Sequence, residues 1–224
     1  MPFIAKTRQG GMRLSIQDYE QVDALGKDDI VCPFCDGTMF IRGGDRTAYR
    51  RHFAHRIECG ADWLPEEYAS GLETAEHLSG KEWLKMNFRH MIADEFVTGT
   101  TAEYEIIINV PAYAGVPAHK RITDVMVTFP NGRQIALECQ LASITPETLE
   151  ERTNDYQRAG IDVRWVLGKT ADRDQNRRWC DEHFGVCYSF DFSYVSQSAP
   201  ATRRIATPND VRHFESEVAS YSPV

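Results

Sequence analysis

Cysteine and histidine are concentrated in one short stretch of the chain. C-P-F-C occupies residues 32 to 35, and R-H-F-A-H-R-I-E-C follows at 51 to 59. Two residues between thiolates let Cys32 and Cys35 reach one ion, and His52, His55 and Cys59 raise the candidate ligands to five within 28 residues. Zinc takes four such sulfur and nitrogen donors in a tetrahedron. His55 and Cys59 are four residues apart, so a helical turn would bring them to one side, and His52 and His55, three apart, could also converge. The favoured set is Cys32, Cys35, His55 and Cys59, with His52 the rival for one position. Four protein ligands leave no place for water, so the implied metal is structural. It would supply folding energy to a segment with few large apolar residues. Thioredoxin-like redox chemistry fits less well, because this C-x-x-C does not open a helix after a hydrophobic strand.

A second set of residues points to a different chemistry. Asp124 lies in R-I-T-D-V-M-V and Glu138 in I-A-L-E-C-Q, two apolar runs separated by the turn sequence Pro130-Asn131-Gly132-Arg133. The turn makes the two runs antiparallel neighbours, and Glu138 and Gln140 project from one face of their strand. Carboxylates in apolar strands need a partner. A hard divalent cation held between Asp124 and Glu138 is one such partner, and a salt bridge to Arg121 or Arg133 at a sheet edge is the other. Upstream, Glu73, His77 and Lys81 fall at i, i+4 and i+8 on a helical pattern, in line with the apolar Leu84, Phe88 and Met91. A polar stripe continuing into an apolar one marks a buried or cleft-lining face; an exposed Glu–Lys pair is the plain alternative. Downstream of C-P-F-C, from Arg42 to Arg56, Arg42, Arg46, Arg50, Arg51 and Arg56 stand against Asp45 alone, with Phe40 just before and Tyr49 and Phe53 interleaved. Such a segment is either a solvated face or a surface that tracks phosphates.

These residues need elements to position them. Pro65 can open a helix whose pattern runs from about residue 66 to 93, with Gly71 and Gly80 weakening its start. Tyr104, Ile106, Ile108 and Val110 alternate as one strand, a second strand spans 122 to 129, and a third 134 to 140. Thr145-Pro146-Glu147 reads as a helix start: a capping hydroxyl, proline at the first position and an acid at the positive end of the dipole. That helix ends at Gly160. A strand at 163–167, a helix at 172–183 and a strand at 186–190 complete the series. The fold class is α/β: a mixed sheet with helices packed on it, in αβββαβ order, preceded by a small metal-binding module. The expected organisation is a module at 1–65, a main domain at 66–195, and a polar Pro/Ser-rich tail at 196–224 with an amphipathic piece near 211–218.

The 224 residues suit one medium domain plus a small module, and 42% hydrophobic with 26% charged residues excludes global disorder. No apolar run reaches the roughly 18 residues of a membrane helix, and the N-terminus lacks a signal-type apolar core. A soluble cytoplasmic protein is expected. The other three of six cysteines, Cys139, Cys180 and Cys187, stand alone in apolar surroundings and read as buried thiols. At a net charge of -8, any nucleic acid must be held by a local basic surface.

Seven short motifs occur in an order that resembles the competence protein CoiA-like nuclease family. They are C-P-F-C at 32–35, H-F-A-H at 52–55 with Cys59, E-T-A-E-H-L-S-G-K at 73–81, R-I-T-D-V at 121–125, A-L-E-C-Q at 136–140, E-R-T-N-D-Y at 151–156 and V-R-W-V-L at 163–167. The resemblance implies a zinc-ribbon-like module followed by a restriction-endonuclease-like, PD-(D/E)XK domain. Asp124 and Glu138 would be the acids that bind Mg²⁺ or Mn²⁺, and Gln140 would stand where many members of the wider superfamily carry lysine. Glu73 and His77 would match the family's helix motif, with His77 a candidate proton acceptor. The implied function is a divalent-metal-dependent nuclease acting on single- or double-stranded DNA in DNA processing, recombination or competence. The alternative is a non-catalytic DNA-binding accessory factor that retains the fold, and a zinc-stabilised protein-interaction module is a weaker third.

Overall fold

Short strands and a few longer helices account for most of the described residues. The computed structural model describes residues 4–16, 19–26, 28–43, 51–55, 57, 59–61, 63–64, 74–190 and 205–206. Contacts divide the chain into two compact units. One is formed by 1–78 with 103–123, the other by 79–102 with 124–224.

The first unit is built from short antiparallel ladders. β1 (Ile4–Thr7) lies between β2 (Arg13–Ser15) and β3 (Ile30–Val31), with the short helix α1 (Tyr19–Asp23) between β2 and β3 in sequence. β4 (Met39–Arg42) pairs with β5 (His52–His55) in a second ladder. Ile4, Leu14, Val22, Ile30, Met39 and Phe53 are buried and form its apolar interior. A third ladder joins β7 (Ile107–Val110) to β8 (His119–Ile122).

A six-stranded mixed sheet belongs to the second unit except for the last two residues of its edge strand β6. In chain order its strands are β6 (Thr101–Tyr104), β9 (Val125–Thr128), β10 (Gln134–Gln140), β11 (Asp162–Gly168), β12 (Tyr188–Phe190) and β13 (Ile205–Ala206). Across the sheet they run β13-β12-β11-β10-β9-β6. β10 is central: parallel to β11 on one side, antiparallel to β9 on the other. Its interior residues are buried on both faces, the near-continuous apolar run expected of an interior strand. The helices are α2 (Ala75–Met91), followed by a 3₁₀ turn at Ala93–Glu95, then α3 (Pro146–Arg158) and α4 (Asp174–Phe184).

α3 starts where its sequence says it should. Thr145 is the cap, its Oγ1 accepting the Thr148 N–H at 3.3 Å, and Pro146 opens the helix. Ala159 is the C-terminal cap and Gly160 takes φ +73°. The turn at 130–133 also forms, with Gly132 at φ +84°.

Two of the expected strands are each broken. Tyr104 to Val110 divides at Glu105, whose φ of +50° ends the β6 path. The cause is the Glu105 side chain, which is fully buried and accepts the Ile4 N–H at 3.3 Å. The run from 122 to 129 divides at Thr123 and Asp124, and the Thr123 N–H bonds to the Ile106 carbonyl at 3.0 Å. Each run therefore contributes one strand to the main sheet and one to the β7–β8 ladder. The helix expected from residue 66 is described from Ala75, and residues 65–73 lie outside the described residues. The same holds for the expected piece at 211–218 and nearly all of the tail.

Candidate functional site

Two sites emerge, one in each unit. In the first, Cys32, Cys35, His55 and Cys59 place their ligand atoms within 4.8 Å of one another, an arrangement that can hold a metal ion such as zinc. Cys32 Sγ and Cys59 Sγ lie 4.0 Å apart, close to the ~3.8 Å edge of a tetrahedron with Zn–S bonds of about 2.3 Å. The surroundings fit thiolate ligands. The Phe34 N–H points at Cys32 Sγ at 3.3 Å and the Gly37 N–H at Cys35 Sγ at 3.4 Å. Space is tight at Gly37, where a Cβ would sit 3.1 Å from Cys35 Sγ and in ordinary contact, 3.6 Å, with the His55 ring. Burial pushes the Cys32 and Cys59 thiols up. At Cys35 burial acts the same way, but the Gly37 N–H and the Cys59 thiol bring it below its ordinary value.

His52 is not in this cluster. Residues 52 to 55 form a strand, not a helix, so His52 and His55 point to opposite faces. His52 is buried in its own right. His55 belongs to β5 and Cys59 to no regular element.

The basic segment is only partly described. Arg46, Tyr49, Arg50 and Arg56 lie outside the described residues. Arg51 is bound by Asp23 through both terminal nitrogens, with a side chain 18% exposed, and Phe53 is a core residue. These two do not belong to an open phosphate-tracking face. Arg42 is exposed.

The second site is centred on Glu138 in β10. Asp124 immediately precedes β9, and not within a strand as its sequence suggests, so its side chain reaches along the start of that strand toward β10. Asp124 Oδ2 accepts the Cys139 N–H at 2.8 Å, and the Asp124 N–H donates to Glu138 Oε1 at 3.1 Å. Both residues are buried. Two cationic side chains face them. Lys81 of α2 is fully buried, with Nζ 3.5 Å from Asp124 Oδ1. Arg152 of α3 donates from Nη2 to Glu138 Oε2 at 3.1 Å and from Nη1 to Gln140 Oε1 at 2.9 Å. Tyr156, one helical turn beyond Arg152 and fully buried, donates its hydroxyl to Glu138 Oε1 at 2.7 Å. Gln140 Nε2 donates to the Ala142 carbonyl at 2.8 Å, which fixes the amide at both ends.

The electrostatics follow from this crowding. Burial, then the charge of Asp124, pushes the Glu138 carboxyl up to about 7, against the pull of Arg152, Tyr156 and the Asp124 N–H. Burial and the charge of Glu138 raise the Tyr156 phenol well above its usual value. Two carboxylates with hard oxygen donors, each one's charge felt by the other, suit a Mg²⁺-type ion, which takes one or two protein carboxylates and keeps the rest of its shell as water.

The three sequence-predicted residues Asp124, Glu138 and Gln140 are thus brought together. Glu73 lies outside the described residues. His77 is half-buried on α2, its N–H bonded to Thr74 Oγ1 at 3.2 Å. Lys81 overturns the plain reading of its stripe as an exposed ion pair. Arg152 and Tyr156 were not singled out from residue chemistry; their i, i+4 spacing in α3 was the available signal.

The nuclease-like domain of competence protein CoiA matches residues 73–219, a stretch that contains Lys81, Asp124, Glu138 and Arg152, and the chain belongs to that family. A curated relative, competence protein CoiA of Bacillus subtilis (strain 168), is 24% identical over 155 residues. The match covers 66% of this chain and 34% of the relative, so the chain spans about a third of that protein's length. Among solved structures, Pyrococcus furiosus SfsA in complex with Ca²⁺ aligns with a TM-score of 0.31 at 8% identity, over 77% of this chain and 76% of that one. SSO0001 aligns with a TM-score of 0.24 at 10% identity, over 70% and 66%. Likenesses at this level do not define the fold. Among the described residues no helix is long and apolar enough to cross a membrane.

Proposed function

We propose that this chain is a divalent-metal-dependent DNA nuclease acting in DNA processing, recombination or competence. The observation that carries the reading is the buried Asp124–Glu138 pair, in which the Asp124 N–H holds Glu138 and the Cys139 N–H holds Asp124, in a chain of the CoiA nuclease-like family. Asp124 and Glu138 would hold Mg²⁺ or Mn²⁺. A cation there neutralises phosphate charge and lowers the pKa of an attacking water. The remaining roles belong to the chain. Tyr156 and the Asp124 N–H fix the inner oxygen of Glu138, and the Cys139 N–H fixes one oxygen of Asp124. Lys81 supplies the positive charge that Gln140 cannot, since an amide neither carries charge nor exchanges a proton at neutral pH. His77 is the proposed proton acceptor on the helix, and Glu73 belongs with it to the family's helix motif.

The domain organisation proposed with this function is a zinc module at 1–65, a restriction-endonuclease-like domain at 66–195 and a tail at 196–224. Zinc at Cys32, Cys35, His55 and Cys59 is structural in this reading, because four protein ligands fill its shell. None of the six cysteines forms a disulfide, which suits a reducing cytoplasm.

One observation favours the second reading, a DNA-binding accessory factor. Each acid already faces a cation of the protein, Lys81 or Arg152, so the formal charges of the site cancel without metal. Hydrolysis of end-labelled single- and double-stranded DNA with Mg²⁺ or Mn²⁺ separates the two. A nuclease cuts, and Asp124→Asn abolishes cutting while leaving DNA binding intact. Binding without cutting under any divalent metal establishes the accessory factor.

A further inference from the structure

In the metal-binding acid pair each carboxylate has one oxygen committed to fixed donors. Asp124 Oδ2 takes the Cys139 N–H, and Glu138 Oε1 takes the Asp124 N–H and the Tyr156 hydroxyl. The other oxygens face cations, Lys81 at Asp124 Oδ1 and Arg152 at Glu138 Oε2. A divalent ion shared by the two residues needs oxygens that these cations now occupy. The two cations differ in their freedom to leave. The Lys81 side chain is 0% exposed and the Arg152 side chain 20% exposed, so only the guanidinium has a path to solvent.

Arg152 also has somewhere to go. Its other terminal nitrogen is bonded to Gln140 Oε1, and its Cζ lies 4.9 Å from the centroid of the Trp165 ring. A guanidinium that gives up Glu138 keeps a hydrogen bond and an aromatic face, so its displacement does not strand a buried charge. Its donors, turned from the carboxylate, are then directed at whatever anion lies beside the bound metal. A planar fork of N–H groups suits a phosphate as well as a carboxylate.

We propose that Arg152 is an exchangeable counter-ion of the site: it caps Glu138 in the metal-free protein, yields that oxygen to the divalent cation, and passes to a phosphate of the bound nucleic acid. Gln140, held by Arg152 and the Ala142 carbonyl, is the pivot of this exchange and not a water-orienting group. The inference rests on the nuclease reading of the acid pair, and it gives Arg152 opposite effects on two ligands, the divalent cation and the nucleic-acid phosphate.

The test measures Mn²⁺ affinity by calorimetry and the affinity for uncleavable phosphorothioate DNA by fluorescence anisotropy, on the full chain. Arg152→Gln should bind Mn²⁺ about tenfold more tightly, the worth of a displaced charge-assisted hydrogen bond. It should bind DNA more weakly with Mn²⁺ present, with a salt slope smaller by about 0.7 to 0.9, and as well as wild type without the metal. Arg152→Lys, which keeps the charge but cannot bridge Glu138 and Gln140, should fall between, and it carries the test if the glutamine variant does not fold. Mn²⁺ bound equally or more weakly by the variants overturns the exchange and leaves Arg152 a brace. A DNA defect that persists without metal overturns it too. If neither wild type nor variants bind Mn²⁺, the metal reading of the acid pair fails, and the exchange with it.

Discussion

Glu138 carries the most revealing chemistry of any single residue. With its carboxyl pushed up to about 7 in the fold and 4.5 as the ordinary value, the folded state binds more protons than the unfolded one between these pH values. Stability from this group is therefore full below 4.5 and is lost as pH rises through about 7. Glu138→Gln should gain on wild type in melting temperature as pH increases from 5 to 8, in metal-free buffer; a constant difference would show that the carboxyl is not perturbed. Gly37 has the corresponding place in the cysteine cluster. Gly37→Ala pushes a methyl to 3.1 Å from Cys35 Sγ, so zinc content after dialysis against a mild chelator should fall below that of wild type. The ligand types at both sites are visible in the sequence. What was not visible is which residues answer them. Lys81 shows its helical stripe but not its complete burial. The choice between His52 and His55 depends on whether 52 to 55 is helix or strand, and a four-residue apolar and histidine run does not settle that.

α3 links local sequence signals to the site. It carries Arg152 and Tyr156 one turn apart, and Leu149, Thr153 and Tyr156 form its buried stripe. The Thr153 hydroxyl accepts the Trp165 Nε1–H at 2.9 Å, which ties the helix to β11. Thr145→Ala removes the cap bond to Thr148 and should cost about 1 kcal/mol in chemical denaturation, with Arg152 still in place. An unchanged midpoint would show that the cap is not used. This helix, the turn at 130–133 and the strand at 134–140 were legible because caps, proline and glycine act locally. The two broken strands were not. Their alternation is real, but Glu105 turns inward to meet the Ile4 N–H from a distant part of the chain, and Asp124 is set just ahead of its strand by bonds to β10. Pattern reading has no access to partners so far away in sequence.

Over the whole molecule, the net charge of -8 gives no sign of a nucleic-acid partner. That reading depends on family membership and on a compact charge arrangement in the second unit, where Asp124 and Glu138 are opposed by Lys81 and Arg152. The first unit brings a separate thiolate and imidazole cluster. Soft and hard donor sets are thereby kept in different units; under the proposed function, zinc and a magnesium-type ion would be sorted by ligand chemistry. The central claim is that the acid pair is a divalent-metal site. Anomalous diffraction from crystals soaked in Mn²⁺ tests it most directly. The account predicts a manganese peak at coordinating distance from both Asp124 and Glu138, with Arg152 withdrawn from Glu138. Carboxylates still capped by Lys81 and Arg152, with no manganese between them at saturating metal, would contradict it.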